Sequence, residues 1–193
     1  MLMNRTQHFI RRMAAPLMRP LARLAGDERG VSAVEFAMLL PLMLTLYLGA
    51  VEISQGIGAD RKVTLTARTV ADLASQASSL AASDMTNSLN AASAVIAPYS
   101  SANLKVTVSQ VKIDANSKAT IDWSATLNGT ARSKGSSVTL PTALVIANSC
   151  LIWSEVQYTY KPTVGYVVTG TLTLKDQIYM RPRLSDCVTY PAT

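Results

Sequence analysis

Glu35 is the residue in this sequence whose placement most needs a chemical explanation. It is the only charged residue in VSAVEFAMLLPLMLTLYLGAV, the apolar run of residues 31–51. A carboxylate in a membrane-crossing helix costs about 2.5–3.5 kcal/mol at the bilayer centre on insertion scales, and less near the edge. We therefore expect Glu35 to require a positively charged partner. The plainer interpretation is an interfacial residue whose carboxylate reaches the lipid headgroups.

Cys150 and Cys187 form a second set of residues with chemistry of their own. They are 37 positions apart, which excludes a CxxC-type metal site. Both follow the apolar run, and if that side of the membrane is extracytoplasmic the sequence predicts a disulfide. In the chain-entropy model a closed loop of this size stabilises a fold by about 3–4 kcal/mol. Two buried free thiols are the alternative.

Residues suited to catalysis or metal binding are sparse. The one histidine, His8, precedes the apolar run, so the rest of the chain has no histidine-based acid–base pair. The sequence contains no GxSxG, P-loop or metal-ligand cluster, and Asp114 and Asp122 have no convincing third partner. We therefore expect no catalytic residues, no metal site and no cofactor, and we do not expect an enzyme.

Basic residues are concentrated at the amino terminus. The 193-residue chain has a net charge of +6 at pH 7, and only Asp27 and Glu28 oppose the six arginines found before Gly30. This distribution is typical of the cytoplasmic flank of a membrane helix and not of a nucleic-acid-binding surface. The sequence predicts a basic cytoplasmic leader at residues 1–30 and no nucleic-acid partner.

The elements around Glu35 are predicted to be helical. Residues 31–51 would reach roughly 31 Å at about 1.5 Å per residue, enough to cross a hydrocarbon core as a transmembrane helix. Pro41 is expected to bend this helix or weaken one backbone bond, and Glu52 to mark its outer end. Helical spacing of apolar residues continues beyond it. We expect a periplasmic helical stalk at residues 52–97, with a helix cap at Ser83 and Asp84.

After Pro98 the sequence alternates in the way typical of β-strands. Two alternating segments predict a hairpin, with a bulge where the phase slips between Val108 and Val111. Ile121 and Trp123 are expected on one face of its second strand. The segments, in order, are a hairpin (104–113 and 118–127), a loop (128–143), a stretch ambiguous between helix and strand (143–153) and two strands (155–162 and 169–183). Residues 98–193 are thus predicted to form an antiparallel-sheet periplasmic domain.

The predicted fold class is α+β, with a long N-terminal membrane-spanning helix that extends into the periplasmic domain. Between the basic leader and the apolar run lies Gly30-Val31-Ser32-Ala33-Val34-Glu35-Phe36. This segment resembles the processing site of type IV-like prepilins, where a membrane aspartyl peptidase cuts after the glycine and leaves glutamate as the fifth mature residue. The resemblance implies a pilin-like fold and a processing site formed by Gly30, Val31, Glu35 and Phe36. An adjacent subunit's new α-ammonium group would then neutralise Glu35. A flexible joint is the plainer explanation for Gly30.

A longer resemblance covers RGVSAVEFAMLLPLMLTLYLGAVEISQG, residues 29–56. This segment is similar to the amino-terminal signature of the TadE family of tight-adherence (Flp) pilus assembly proteins, including the VEFA stretch, Pro41 and Glu52. EVQYTYKP and MRPRLSDC also resemble the family's carboxyl-terminal half, where an aromatic-rich strand and an Arg-Pro-Arg segment precede a cysteine. No family pattern is visible between about residues 80 and 145.

The family resemblance implies a minor pilin-like subunit (a pseudopilin) or an assembly factor of a type IVb pilus that supports surface attachment. Its implied partners are the inner membrane, a prepilin peptidase, the major Flp pilin, other minor pilins and the pilus assembly platform proteins. The implied topology is a single pass through the inner membrane, with a cytoplasmic N-terminus and a periplasmic C-terminal domain that is either membrane-held or pilus-associated.

Two other functions fit the same features. One is a single-pass anchored periplasmic structural or adhesive protein that enters no pilus. The other is a secreted domain released by cleavage near Gly58–Ala59.

Overall fold

The structure, a computed structural model, describes residues 29–162, 165 and 170–191. The predicted leader therefore lies outside the described residues, except for residues 29 and 30. The chain divides into two compact units, Met1–Tyr47 and Leu48–Thr193. The described residues form two α-helices and four β-strands: α1 (Arg29–Ser75), α2 (Ala82–Val95), β1 (Leu104–Ile113), β2 (Ala119–Leu127), β3 (Ser149–Tyr160) and β4 (Leu172–Met180).

Helix α1 contains the whole apolar run and continues beyond it for a total of 47 residues. Leucine, methionine and alanine favour the helix, and Pro41 lies inside it without ending it. The Thr45 hydroxyl donates a hydrogen bond to the Pro41 carbonyl oxygen at 2.8 Å. In the first unit, the side chains of residues 31–44 are all exposed. An apolar helix exposed on every side is suited to lipid or to other helices as its surroundings.

In the second unit, small residues form the face of α1 that packs on the sheet. This face is at most 1% exposed and consists of Ala59, Val63, Ala67, Val70, Ala71 and Ala74. These residues recur at intervals of three or four, which puts them on one side of the helix. All of them except Ala71 belong to one hydrophobic core with Val106, Val108 and Ile152 of the sheet. The predicted α+β arrangement of an apolar helix packed on an antiparallel sheet is confirmed.

Helix α2 contributes Met85, Leu89 and Ala92 to the same core. Its first turn begins after Ala81, so the cap predicted at Ser83 and Asp84 is wrong in position. The Asp84 carboxylate instead accepts the backbone N–H of Ala81 at 3.2 Å. The Asp84 side chain, in the first turn of α2, therefore satisfies the backbone N–H of Ala81, the residue just before the helix.

The four strands form one antiparallel sheet in the order β2-β1-β3-β4. The predicted β1–β2 hairpin is confirmed, and so is its bulge, because the register shifts between Gln110 and Val111. The shift leaves Asp122 as an extra residue in β2. Ile121 consequently lies in the apolar cluster on one face while Trp123 lies in the core on the other. The prediction that these two residues share a face is wrong.

Strand β3 joins two segments that the sequence pattern separated. It is one strand of 12 residues that pairs with both β1 and β4, and it takes in the end of the ambiguous stretch. Its position in the middle of the sheet explains the ambiguity, because a strand buried on both faces does not alternate cleanly.

A disulfide joins β3 to the segment that follows β4. Cys150 and Cys187 are bonded, with their Cα atoms 5.2 Å apart, and the predicted disulfide is thereby confirmed. Beside it, the backbone N–H of Val188 donates to Gln110 Oε1 at 2.6 Å and the Val188 carbonyl accepts Trp123 Nε1–H at 2.8 Å. Both backbone groups of this buried residue are thus partnered by side chains of the sheet.

The same segment, residues 181–190, also binds the end of α1 and the connection to α2, and we call it the C-terminal strap. Thr189 N–H donates to the Ser78 carbonyl at 3.1 Å, and Leu80 N–H donates to the Thr189 carbonyl at 2.9 Å. Arg183 forms an ion pair with Asp72 of α1. The strap therefore closes one end of the core.

Candidate processing site and membrane helix

The four residues of the predicted processing site lie in the first two turns of α1. Gly30 is helical, and a Cβ atom placed on it would meet no atom within 4 Å. Val31 and Phe36 are 58% and 59% exposed, and Glu35 is exposed as well. A peptidase that takes an extended backbone would have to unwind this first turn. Glycine makes that step easier, since it weakens a helix by about 1 kcal/mol relative to alanine.

Glu35 lies one helical turn beyond Val31, on the same face of α1. None of the ion pairs among the described residues includes Glu35. Phe36 is rotated from Glu35 by about 100° around the helix. The carboxylate is therefore accessible from outside its own chain, next to exposed apolar side chains.

Among the described residues, α1 is the one helix that is long and apolar enough to cross a membrane. Only 11% of its most apolar window is buried. The central helix of a soluble protein meets the same length criterion but is mostly buried, which this window is not. The described part of the chain thus combines one candidate membrane helix with a disulfide-containing domain.

Glu52 is a residue whose surroundings the sequence did not reveal. It is 3% exposed, although it was expected only to mark the end of the membrane span. It lies near Tyr160, which belongs to a cluster with Tyr99 and Tyr158. The Tyr99 ring centroid lies 6.2 Å from that of Tyr158 and 6.1 Å from that of Tyr160. Burial raises the pKa of Tyr160, and the nearby Tyr99 and Glu52 raise it further.

The aspartates considered above for catalysis have structural partners. Asp114 Oδ1 accepts the backbone N–H groups of Asn116 and Lys118 in the hairpin turn, at 2.9 and 2.8 Å. Asp122, the extra residue of the bulge, accepts a hydrogen bond from Gln110 Nε2 at 2.8 Å. In the described part of the chain, no three His, Cys, Asp or Glu residues are grouped in a way that could hold a metal ion.

These features define a class: an α+β protein with one candidate membrane helix whose buried second half packs on a disulfide-linked sheet domain. Residues 30–72 match the model of the TadE-like protein family, so the chain carries a TadE-like domain over most of α1. The match begins at Gly30 and ends at Asp72. No curated protein and no solved structure matches the chain. The resemblance of EVQYTYKP and MRPRLSDC to the family lies outside the matched residues and stays a prediction.

Proposed function

We propose that this chain is a minor pilin-like subunit or assembly factor of a tight-adherence (Flp, type IVb) pilus, held in the inner membrane by the first half of α1. The observation that carries the proposal is Glu35, an exposed carboxylate five positions after Gly30 within an otherwise apolar stretch of helix. This residue lies in the segment that matches TadE-like proteins. A plain membrane anchor gains nothing from such a costly group.

In this proposal a prepilin peptidase cuts between Gly30 and Val31. The family match covers Gly30, Val31 and Glu35, and so includes the proposed cleavage point. Glu35 would then be the fifth residue of α1, close to the helix N-terminus, where the helix dipole favours a negative charge. The new α-ammonium group of an adjacent subunit would pair with Glu35 and bring the two helices together in a staggered arrangement.

The proposed topology follows from charge and from the disulfide. The excess of arginine before Gly30 favours a cytoplasmic N-terminus. The Cys150–Cys187 bond favours an oxidising periplasm for the sheet domain. The proposed partners are the prepilin peptidase, the major Flp pilin, other minor pilins and the assembly platform, and the proposed role is structural.

Amino-terminal sequencing of the mature protein tests the proposal directly. A chain that begins at Val31 supports it, whereas one that begins at Met1 in piliated cells identifies an anchored periplasmic protein. A start near Ala59 would identify a secreted domain. The structure disfavours that third outcome, because α1 is continuous through Ala59 and this residue is 0% exposed in the core.

The role of Glu35 is tested by Glu35→Ala, with Ser32→Ala as a matched control on the same exposed part of the helix. We expect Glu35→Ala to insert into the membrane normally, because the change makes the helix more apolar, and to abolish or strongly reduce piliation. Membrane fractionation and electron microscopy of cells measure the two effects. Normal piliation in Glu35→Ala would contradict the proposal and favour a simple anchor.

A further inference from the structure

A polar groove lies on the face of the sheet opposite the helices. It has a volume of about 730 Å³ and is lined by β1, β3, β4 and the loop after β2. Its side chains alternate along the strands with those of the core, so that Lys105 and Thr107 flank the buried Val106. Ligand pockets commonly have volumes of about 300–1,000 Å³. The groove is therefore large enough to hold several linked sugar or amino-acid residues.

Strand pairing arranges the polar side chains of the groove in rows. In one row Lys105 is opposite Gln157, which is opposite Lys175. Neighbouring strands are about 4.8 Å apart, so the two lysine Cα atoms lie about 10 Å apart with an amide between them. The next row, about 7 Å along the strands, contains Thr107, Glu155 and Gln177.

A fixed ion pair forms one wall of the groove. Arg132 Nη2 lies 2.7 Å from each carboxylate oxygen of Glu155, and Arg132 Nε donates to Oε2 at 3.0 Å. The guanidinium carbon also lies 4.1 Å from the centroid of the Trp153 ring, which stacks on Tyr179 at 5.5 Å. The backbone N–H of Arg132 donates to Ser124 Oγ at 3.1 Å. With its backbone and its side chain both held, Arg132 is positioned before any ligand arrives.

The charged residues that line the groove differ in whether they already have a partner. Arg132 already pairs with Glu155, and Asp176 Oδ1 accepts the backbone N–H of Gln177 at 2.8 Å. Within the described residues, no ion pair includes Lys105 or Lys175, and both side chains are exposed. The groove thus offers two lysine ammonium groups to anions, separated by the neutral amide of Gln157. Asp176 is opposite the core residue Val156, so its side chain is on the other face of the sheet, and the charge of Glu155 is balanced by Arg132.

We propose that this groove binds an acidic oligosaccharide, a chain of sugars with a carboxylate on its units. Sugar hydroxyls both donate and accept hydrogen bonds, which matches the amides of Gln157 and Gln177 and the hydroxyls of Thr107 and Thr130. Carboxylates on the ligand would pair with the two lysines. A densely charged polyphosphate fits less well, because it would meet only two lysines, about 10 Å apart, with neutral groups between them. An extended peptide also fits less well, since the backbone groups of β1 and β3 are already used in strand pairing.

Calorimetric titration of the full chain in detergent micelles tests this binding site, with tetragalacturonate as the probe. We expect saturable binding with one site per chain, and much weaker binding of the neutral maltotetraose. Replacing both groove lysines, Lys105→Ala with Lys175→Ala, should weaken binding by about tenfold or more, because two charge-assisted contacts are lost. The matched control is Lys112→Ala with Lys118→Ala, which removes the same charge from exposed positions outside the groove.

The neutral variant Gln157→Ala separates hydroxyl recognition from charge attraction. It leaves the charge of the groove unchanged, and we expect it to weaken tetragalacturonate binding several-fold. The proposal is overturned if tetragalacturonate shows no saturable binding, or if the two double-lysine variants lose affinity equally. Tighter binding of a short single-stranded oligonucleotide than of tetragalacturonate would also overturn it. None of these results depends on cleavage at Gly30 or on Glu35, so they leave the proposed pilus function to its own test.

Discussion

Tyr99 and Tyr160 are neighbouring tyrosines whose hydroxyl groups have different surroundings. Tyr99 Oη donates to the Gln55 carbonyl oxygen at 3.0 Å. Tyr160 is 5% exposed, and no described residue forms a hydrogen bond with its Oη atom. A buried hydroxyl without a partner costs about 1–3 kcal/mol, whereas a typical hydrogen bond contributes about 1 kcal/mol. The two hydroxyls should therefore affect stability in opposite directions.

We predict that Tyr160→Phe leaves the free energy of unfolding at pH 7 unchanged or raises it by up to about 1 kcal/mol. It should also reduce the loss of stability at high pH. Because the folded-state pKa of Tyr160 is raised, its contribution is fully present below the ordinary tyrosine pKa of about 10 and is lost as the pH rises through the folded-state value. Urea unfolding of the full chain in micelles between pH 7 and 11 measures both effects.

Tyr99→Phe is the matched control for this prediction, since it removes the hydroxyl that has a partner. We expect it to lower the free energy of unfolding at pH 7 by about 1 kcal/mol. Equal losses of stability in the two variants would show that the Tyr160 hydroxyl also has a stabilising partner.

The importance of some single residues could be predicted from the sequence, and that of others could not. Glu35 stands out because a charge inside an apolar run is apparent without any structure, and the two cysteines stand out by their number. Arg132 and Glu155 do not stand out. They are 23 positions apart in the sequence and meet only when the loop after β2 folds over β3. Lys105 and Lys175 belong to one row only because β3 lies between their strands. Such pairings depend on tertiary structure and cannot be predicted from the local spacing of polar and apolar residues.

At the scale of elements, the second half of α1 is defined by the small size of its buried residues. Ala67 is 1% exposed and lies between Val63 and Val70 on the face that packs on the sheet. Alanine leaves little space between the helix backbone and the strands, and protein cores contain few voids. A larger side chain there would have to push the helix away from the sheet.

We predict that Ala67→Leu lowers the free energy of unfolding by about 1–3 kcal/mol through overpacking. Arg68→Leu is the control, because it adds the same side chain one position along, on the exposed side of the helix. It should change stability by less than about 0.5 kcal/mol. Thermal unfolding followed by circular dichroism measures both. A stabilised Ala67→Leu protein would mean that a cavity lies beneath this residue.

Helices and strands were predictable where the spacing of their apolar residues was clear. How the strands pair with one another was less predictable. The helical period of α1 and the alternation of β1 both appear in the sequence, and the phase slip in β1 correctly indicates a bulge. The extra residue, however, is Asp122 in β2, where alternation continues without interruption. A bulge moves the following side chains to the other face of the sheet, although polar and apolar residues still alternate in the sequence of the strand. That Ile121 and Trp123 lie on opposite faces could therefore be found only from the register of strand pairing.

At the scale of the whole molecule, the disulfide and the C-terminal strap hold the described part of the second unit together. Cys187 lies in the strap and Cys150 at the start of β3, so their bond fixes a loop of 37 residues. The strap supplies the partners of Gln110 and Trp123 as well. Releasing it would expose the end of the core that it covers.

We predict that replacing both cysteines, Cys150→Ala with Cys187→Ala, lowers the free energy of unfolding by about 3–4 kcal/mol. The physical reason is the larger conformational freedom of the unfolded chain once the loop is open. Urea unfolding of the full chain measures the loss. Dithiothreitol should lower the stability of the wild-type protein by a similar amount and leave the double variant unchanged; an equally stable double variant would contradict the prediction.

The overall class of the molecule was predictable because composition decides it: one long apolar run after a basic amino terminus, and then alternating strands with two cysteines. Strand order was not predictable, because the central position of β3 follows from its pairing with both β1 and β4. The strap was also missed, since segment 181–190 forms no regular element and is held by contacts with distant parts of the chain.

The strap has a consequence for the order in which the chain completes its fold. Its contacts with α1 and the following connection join residues 111 positions apart, as between Asp72 and Arg183 or Ser78 and Thr189. During synthesis α1 emerges long before these partners, and closing so long a loop is entropically slow. Until the strap docks, apolar side chains at that end of the core stay exposed, which makes the unfinished chain prone to aggregation.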